Sequence, residues 1–159
     1  MVDLSKLKTA GTIRVAAPPD RLYDMVSDVT RMGEWSPENT GGTWDDAQEG
    51  ATVGSWFTGR NKAGDFEWET RCEVVVAERG REFAFVVGGE QDGWVRWGYR
   101  FTPVDGGTEV EESWVVLRLS PFMVDRTDEE LLNIKAGRHQ GIETTLANLE
   151  RGAGHAGPD

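Results

Sequence analysis

A carboxylate set in a row of apolar residues is the most chemically informative feature of this sequence. In Val110-Glu111-Glu112-Ser113-Trp114-Val115-Val116, alternate positions of a strand share a face, so Val110, Glu112, Trp114 and Val116 point the same way. A carboxylate among such neighbours must be paired or have its pKa raised, because desolvation penalises the charged form. Partners exist in the C-terminal segment, where Arg138, and less favourably Lys135, lie on a helical stripe facing this strand, with His139 at its edge. Glu112, Arg138 and His139 would then form the polar end of an apolar space. With Tyr99 they are the inward-facing groups able to give or take a proton. The competing reading is a bulge at Glu111-Glu112 that turns both acids to solvent.

Other chemistries find less support. His139 also reads as a surface or interface residue, and His155 falls in the C-terminal tail. Two histidines without a His-x-x-Glu-type spacing build no zinc site, so neither metal nor other cofactor is expected. The single cysteine, Cys72, allows no internal disulfide and reads as a small core residue. Ser27, Ser36 and Ser113 lack a glycine-flanked elbow, and Gly88, Gly89 and Gly93 do not form a strand-to-helix phosphate loop.

The elements that must position Glu112 follow from periodicity. The last segment, Thr127 to Arg151, opens with a Thr-x-x-Glu capping box, Thr127 to Glu130, and meets a plausible stop at Gly152. Leu131, Ile142, Leu146 and Leu149 fall on one arc at 100° per residue. Burying them is worth roughly 6–12 kcal/mol gross, against about 1 kcal/mol each for Gly137 and Gly141, so one long helix is expected.

Thr12 to Ala16 reads as a first strand. Pro19 to Asp28 reads as a helix with proline in its first turn, and Thr30 to Ser36 as a second short helical turn stopped by Pro37. Period-two alternation then gives strands at Thr43–Asp46, Val53–Arg60, Phe66–Glu78, Glu82–Val87, a strand through Val95 to Phe101, and Thr108–Leu119. One side of these strands is aromatic: Phe57, Phe66, Trp68, Phe83, Phe85, Trp97, Tyr99 and Trp114. Cys72, Val74 and Val76 continue the inward row of the longest strand, and Glu67, Glu69, Arg71 and Glu73 line its other side. An antiparallel sheet with one wet face and helices against the other makes an α+β domain.

The bulk numbers set limits. The 159 residues suit one domain, and a formal charge of −11, from 28 acids against 17 bases, opposes phosphate-backbone binding. No run of apolar residues is long enough to span a membrane, and Met1 to Lys8 has no apolar run of signal-peptide length. The expectation is a cytoplasmic protein with a lead-in over 1–8, a domain over 9–151 and a disordered tail over 152–159.

In order and in particular residues the chain resembles the helix-grip (SRPBCC/START-like) superfamily, which includes START-type lipid-transfer domains, birch-pollen-allergen relatives and polyketide cyclases. It is most similar to the bacterial polyketide cyclase/dehydrase-like subgroup. The matching residues are Ile13-x-Val15-x-Ala17-Pro18, Tyr23, Val26-Ser27-Asp28, Glu34-Trp35-Ser36-Pro37, Phe57-x-Gly59-x-Asn61, Trp68, Gly80-Arg81-x-Phe83-x-Phe85, Trp97-x-Tyr99 and Gly106-Gly107-Thr108-x-Val110, within about residues 9 to 151. The resemblance implies a seven-stranded antiparallel sheet curved around the C-terminal helix, with two short helices between strands 1 and 2. It also implies a cavity for an apolar small molecule between sheet and helix.

The expected function is therefore binding or transport of a hydrophobic small molecule, lipid or polyketide-like. The expected lining is Trp35, Phe57, Phe66, Trp68, Phe83, Phe85, Trp97, Tyr99, Glu112, Trp114, Leu131, Lys135 and Arg138. Two alternatives stand beside it: a cyclase or aromatase using Glu112, Tyr99, Arg138 or His139 as acid or base, and a protein-interaction module. The aromatic face also reads simply as core. The partners expected are the ligand and, at most, a second copy of the chain, with no nucleic acid.

Overall fold

A computed structural model describes residues 2–48 and 50–155, the side chain of His155 excepted. Among these residues no helix is long and apolar enough to cross a membrane. The described residues form seven strands and two helices: β1 Lys8–Val15, α1 Pro19–Ser27, β2 Asn39–Trp44, β3 Trp56–Ala63, β4 Phe66–Glu78, β5 Glu82–Val87, β6 Val95–Val104, β7 Gly107–Val116 and α2 Asp128–His155. A 3₁₀ turn over Leu4–Lys6 precedes β1, and a second, Val29–Glu34, follows α1.

Local chemistry explains these boundaries. Pro19 occupies the first turn of α1, where its missing N–H costs nothing. Asp28 caps the following turn by accepting from the Thr30 N–H at 3.1 Å. Gly64, at φ 62°, supplies the left-handed residue that lets β3 turn into β4. The capping box before α2 is complete: Thr127 N–H donates to Glu130 Oε1 at 2.9 Å, and Glu130 N–H to Thr127 Oγ1 at 3.1 Å.

All strand pairs are antiparallel, in the spatial order β1-β7-β6-β5-β4-β3-β2. Only β1 and β2 are therefore edges. The sheet curls, and α2 lies along its concave face, closest to β1 and then β7. Leu131, Ile142, Leu146 and Leu149, the four aliphatics expected on one arc, are all buried at 0–2% exposure.

Register decides which side chains meet α2, since residues directly opposite in an antiparallel pair share a face. The inner face runs Gly11↔Glu112↔Tyr99↔Phe83 across β1, β7, β6 and β5. The next row is Thr9↔Trp114↔Trp97↔Phe85↔Val74. Beyond it Cys72 faces Phe57, Thr70 faces Gly59 and Trp68 faces Asn61.

Several expectations need correction. A bulge between Val74 and Val76 shifts the phase of β4, so Ala77, not Val76, opposes Phe83 on the inner face. Helix α2 does not stop at Gly152 but continues to His155, because Ala153 is buried and Gly152 packs under the Trp35 ring. Residues 152–155 of the expected disordered tail are thus helical, and 156–159 lie outside the described residues. Strand β2 begins at Asn39 rather than Thr43, and β7 ends at Val116 rather than Leu119.

Candidate ligand-binding site

Glu112 is on the inner face, 4% exposed, in the middle of a strand paired on both edges. There is no bulge at Glu111-Glu112, since the β6–β7 and β1–β7 registers run unbroken through both. Its partner is Tyr99, whose hydroxyl donates to Glu112 Oε2 at 3.0 Å. Glu112 Oε1 is buried and has no hydrogen-bond partner among the described residues. Burial pushes the Glu112 carboxyl up to about 8, against which the Tyr99 hydrogen bond acts only in part. Burial and the neighbouring carboxyl together raise the Tyr99 phenol well above its usual value. At neutral pH the pair is therefore a protonated acid beside an un-ionised phenol.

Gly11 makes room for this pair. It stands opposite Glu112, and a Cβ there would lie 3.0 Å from Ile142 Cγ2 and 3.5 Å from Leu146 Cδ1. The backbone of β1 thus lets α2 approach over Glu112 directly.

The inner face is not uniformly sealed. Phe57, Phe83 and Trp114 are closed at 0–1% exposure, as floor residues of a packed core. Tyr99 and Phe85 each keep 9%, and Trp97 is only partly buried. Strands β5 and β6 have hydrogen-bonded neighbours on both sides, so a side chain on their inner face keeps surface only where the helix side leaves space. Helix α2 packs mainly against β1 and β7, while α1 is the helix nearest β5 and β6.

Arg138 and His139 do not join Glu112. Arg138 sits beside the corner after the second 3₁₀ turn and reaches Glu38 at 3.0 Å. A Cβ at Gly141, one turn further along the same helix, would lie 3.8 Å from Pro37. That proximity offers the guanidinium a nearer and wetter carboxylate than Glu112. His139 is shared between the Thr9 hydroxyl, 2.7 Å from Nδ1, and Glu143, 2.8 Å from Nε2. Lys135 is half-buried on the same stretch and is not the partner of Glu112 either. The expected grouping of Glu112, Arg138 and His139 does not form; Glu112 pairs with Tyr99 instead.

Two aromatic assignments also change. Phe66 is 66% exposed and stacks on Trp68 with ring centroids 5.3 Å apart, at a hairpin that projects beyond β5. It is therefore not part of the interior. Trp35 packs against Gly152, accepts from Asn148 Nδ2 through its carbonyl at 2.8 Å and points its indole N–H at Met25 O. It fastens the early helices to the far end of α2.

Sequence reasoning missed a polar strip on the inner face of β2, β3 and β4. Asn39 and Asn61 oppose each other across β2–β3, and Asn61 donates to Thr70 Oγ1 at a long 3.5 Å. Inward phase in Phe57-x-Gly59-x-Asn61 was the available signal. Two open surface clefts, of about 460 and about 440 Å³, lie elsewhere, the first around Trp56 and Gly89, the second around Asp24 and Arg79.

Comparison with known proteins agrees with this architecture. The profile of the family described as polyketide cyclase / dehydrase and lipid transport matches residues 6–154. A polyketide-cyclase-like protein from Corynebacterium glutamicum, solved in solution, is 38% identical over 91% of this chain and 90% of its own, with a TM-score of 0.65. A protein from Mycobacterium smegmatis shares the fold at 19% identity and TM-score 0.69, covering 99% of this chain and 97% of its own. The di-domain aromatase/cyclase of the BE-7585A biosynthetic pathway does so at 16% identity and TM-score 0.70, over 95% of this chain and 50% of its own. Among curated proteins none matches. With a family profile spanning nearly the whole chain, and a relative at 38% identity over nine-tenths of it, the protein belongs to the polyketide cyclase / dehydrase and lipid transport family.

Proposed function

We propose that the protein binds and carries a hydrophobic small molecule between the concave sheet and α2. The ligand lies over Phe85, Trp97 and Tyr99, with Phe57, Phe83 and Trp114 as the floor beneath it. The observation that carries this reading is the surface left on Trp97 and Tyr99 in a strand covered along both edges. A mostly apolar lining with one placed polar pair is the usual composition of a small-molecule site.

The test is titration with a neutral apolar fluorophore such as phenylnaphthylamine. One-to-one saturable binding with energy transfer from tryptophan is expected, and transfer should drop in Trp97→Phe. Binding that never saturates, or transfer indifferent to that substitution, counts against the site.

A second reading is favoured by one observation. Glu112, protonated at neutral pH and held by Tyr99, has the state a general acid needs. In that case the ligand is a poly-β-keto chain and Glu112→Gln abolishes turnover while leaving binding intact. Absence of turnover by the native protein leaves the carrier reading.

A further inference from the structure

Among the described residues, Glu112 Oε1 is the one buried acid oxygen without a hydrogen-bond partner. Oε2 is held by Tyr99, but Oε1 is buried without a partner. Such an orphan normally destabilises a fold, and an aliphatic residue of similar size would avoid that cost. The groups packed around it are few in kind. Strand β1 presents Gly11, α2 brings Ile142 and Leu146 over that glycine, and Val110 and Trp114 flank Glu112 on its own strand. Tyr99 on β6 is the titratable group that touches it. Among the described residues nothing cationic faces Glu112, since Arg138 is held by Glu38 and His139 by Thr9 and Glu143.

Resting on the reading of an apolar ligand above, we propose that Glu112 is the specificity-determining residue of this site, donating a hydrogen bond from Oε1 to an uncharged acceptor oxygen at the ligand's buried end. Tyr99 is the positioning residue: by donating to Oε2 it fixes the carboxyl so that the acid proton sits on Oε1. A ligand lying along Trp97 and Tyr99 reaches Glu112 by displacing the side chains that now close over it. A ketone, ester or amide carbonyl fits the donor, and a pure hydrocarbon leaves it orphaned. Ionisation of Glu112 removes the donor and opposes the acceptor's lone pairs, so the preference weakens as pH rises through about 8.

The experiment compares two probes of equal shape, acetylnaphthalene and ethylnaphthalene, by calorimetry and tryptophan quenching at pH 6.5. Native protein should prefer the ketone about tenfold, the effect of ~1.4 kcal/mol. Glu112→Gln keeps an acceptor for Tyr99 and an N–H donor for the ligand, so it should retain the preference and lose its dependence on pH. Glu112→Met should bind both probes alike. Should neither probe bind native protein, the binding site itself is wrong. Equal binding of both probes by native protein, or a ketone preference that survives in Glu112→Met, overturns the role of Glu112 while leaving the site in place.

Discussion

The Tyr99 hydroxyl and Glu112 Oε2 lie 3.0 Å apart across the β6–β7 pair, and that single contact is all that offsets the burial of the carboxyl. The consequence for stability has a definite sign. The folded pKa, about 8, is above the usual 4.5, so the native state holds a proton that the unfolded state has released. Stability from this group is fully present below pH 4.5 and falls as pH rises to about 8, by on the order of 4 kcal/mol. Chemical denaturation at pH 5 and pH 8 should show that loss in native protein, and Glu112→Gln should remove most of it. Parallel pH curves for the two proteins would mean that Glu112 is ionised in the fold.

Freed from Glu112, Arg138 becomes a test of how the site is wired. Its partner is Glu38, in a half-exposed pair worth at most about 1 kcal/mol. Arg138→Ala should therefore change stability slightly and leave the pH profile above unaltered. If Arg138→Ala instead steepened the profile, the guanidinium would be shielding Glu112 after all.

Most of the architecture was legible because period-two alternation survives through β3, β5, β6 and β7. Glu112, Trp114, Trp97 and Tyr99 were placed on the inner face by parity alone, and register bears this out. Parity fails at a bulge, which is why Val76 was misplaced. It is also silent on how far a hairpin overhangs its neighbour, hence the exposed Phe66. The partner of Glu112 was missed for a different reason. A helical wheel says which residues face a sheet but not where along the sheet they land, and the corner at Pro37 and Glu38 captures Arg138 first. Tyr99 was in view, yet cross-strand pairing needs a register that sequence does not supply.

Gly11 and Ile142 give a packing prediction. A side chain at Gly11 enters the gap between β1 and α2 at 3.0 Å from Ile142 Cγ2, so Gly11→Val should cost roughly 1–3 kcal/mol by overpacking. Ile142→Ala alone should cost about 2–5 kcal/mol as a cavity. The double variant should be less destabilised than the sum, because the valine fills part of the space Ile142 vacates. Simple additivity in urea denaturation would show that the two residues are not in contact.

The start of α2 rests on its capping box, since this half of the helix buries little beyond Leu131. Thr127→Ala removes the acceptor for Glu130 N–H and should cost about 1 kcal/mol. Hydrogen exchange should then quicken over the first turns of α2 and not near Leu149. Uniform quickening would place the cap within the global unfolding unit.

Cys72 reports on whether the interior opens. Its thiol is buried opposite Phe57 and is pushed up to about 12 by desolvation, so the thiolate is scarce at any ordinary pH. In native protein at pH 8 a maleimide or a disulfide reagent should label it only as fast as the fold opens, and at the rate of a free thiol in denaturant. Because Cys72 adjoins the row of Val74, Phe85 and Trp97 across β4 and β5, a ligand seated there should slow the labelling further. Labelling at a free-thiol rate in native protein would mean that the sheet's inner face is open to solvent as far as β4, which the burial of Phe57 and Val74 does not allow.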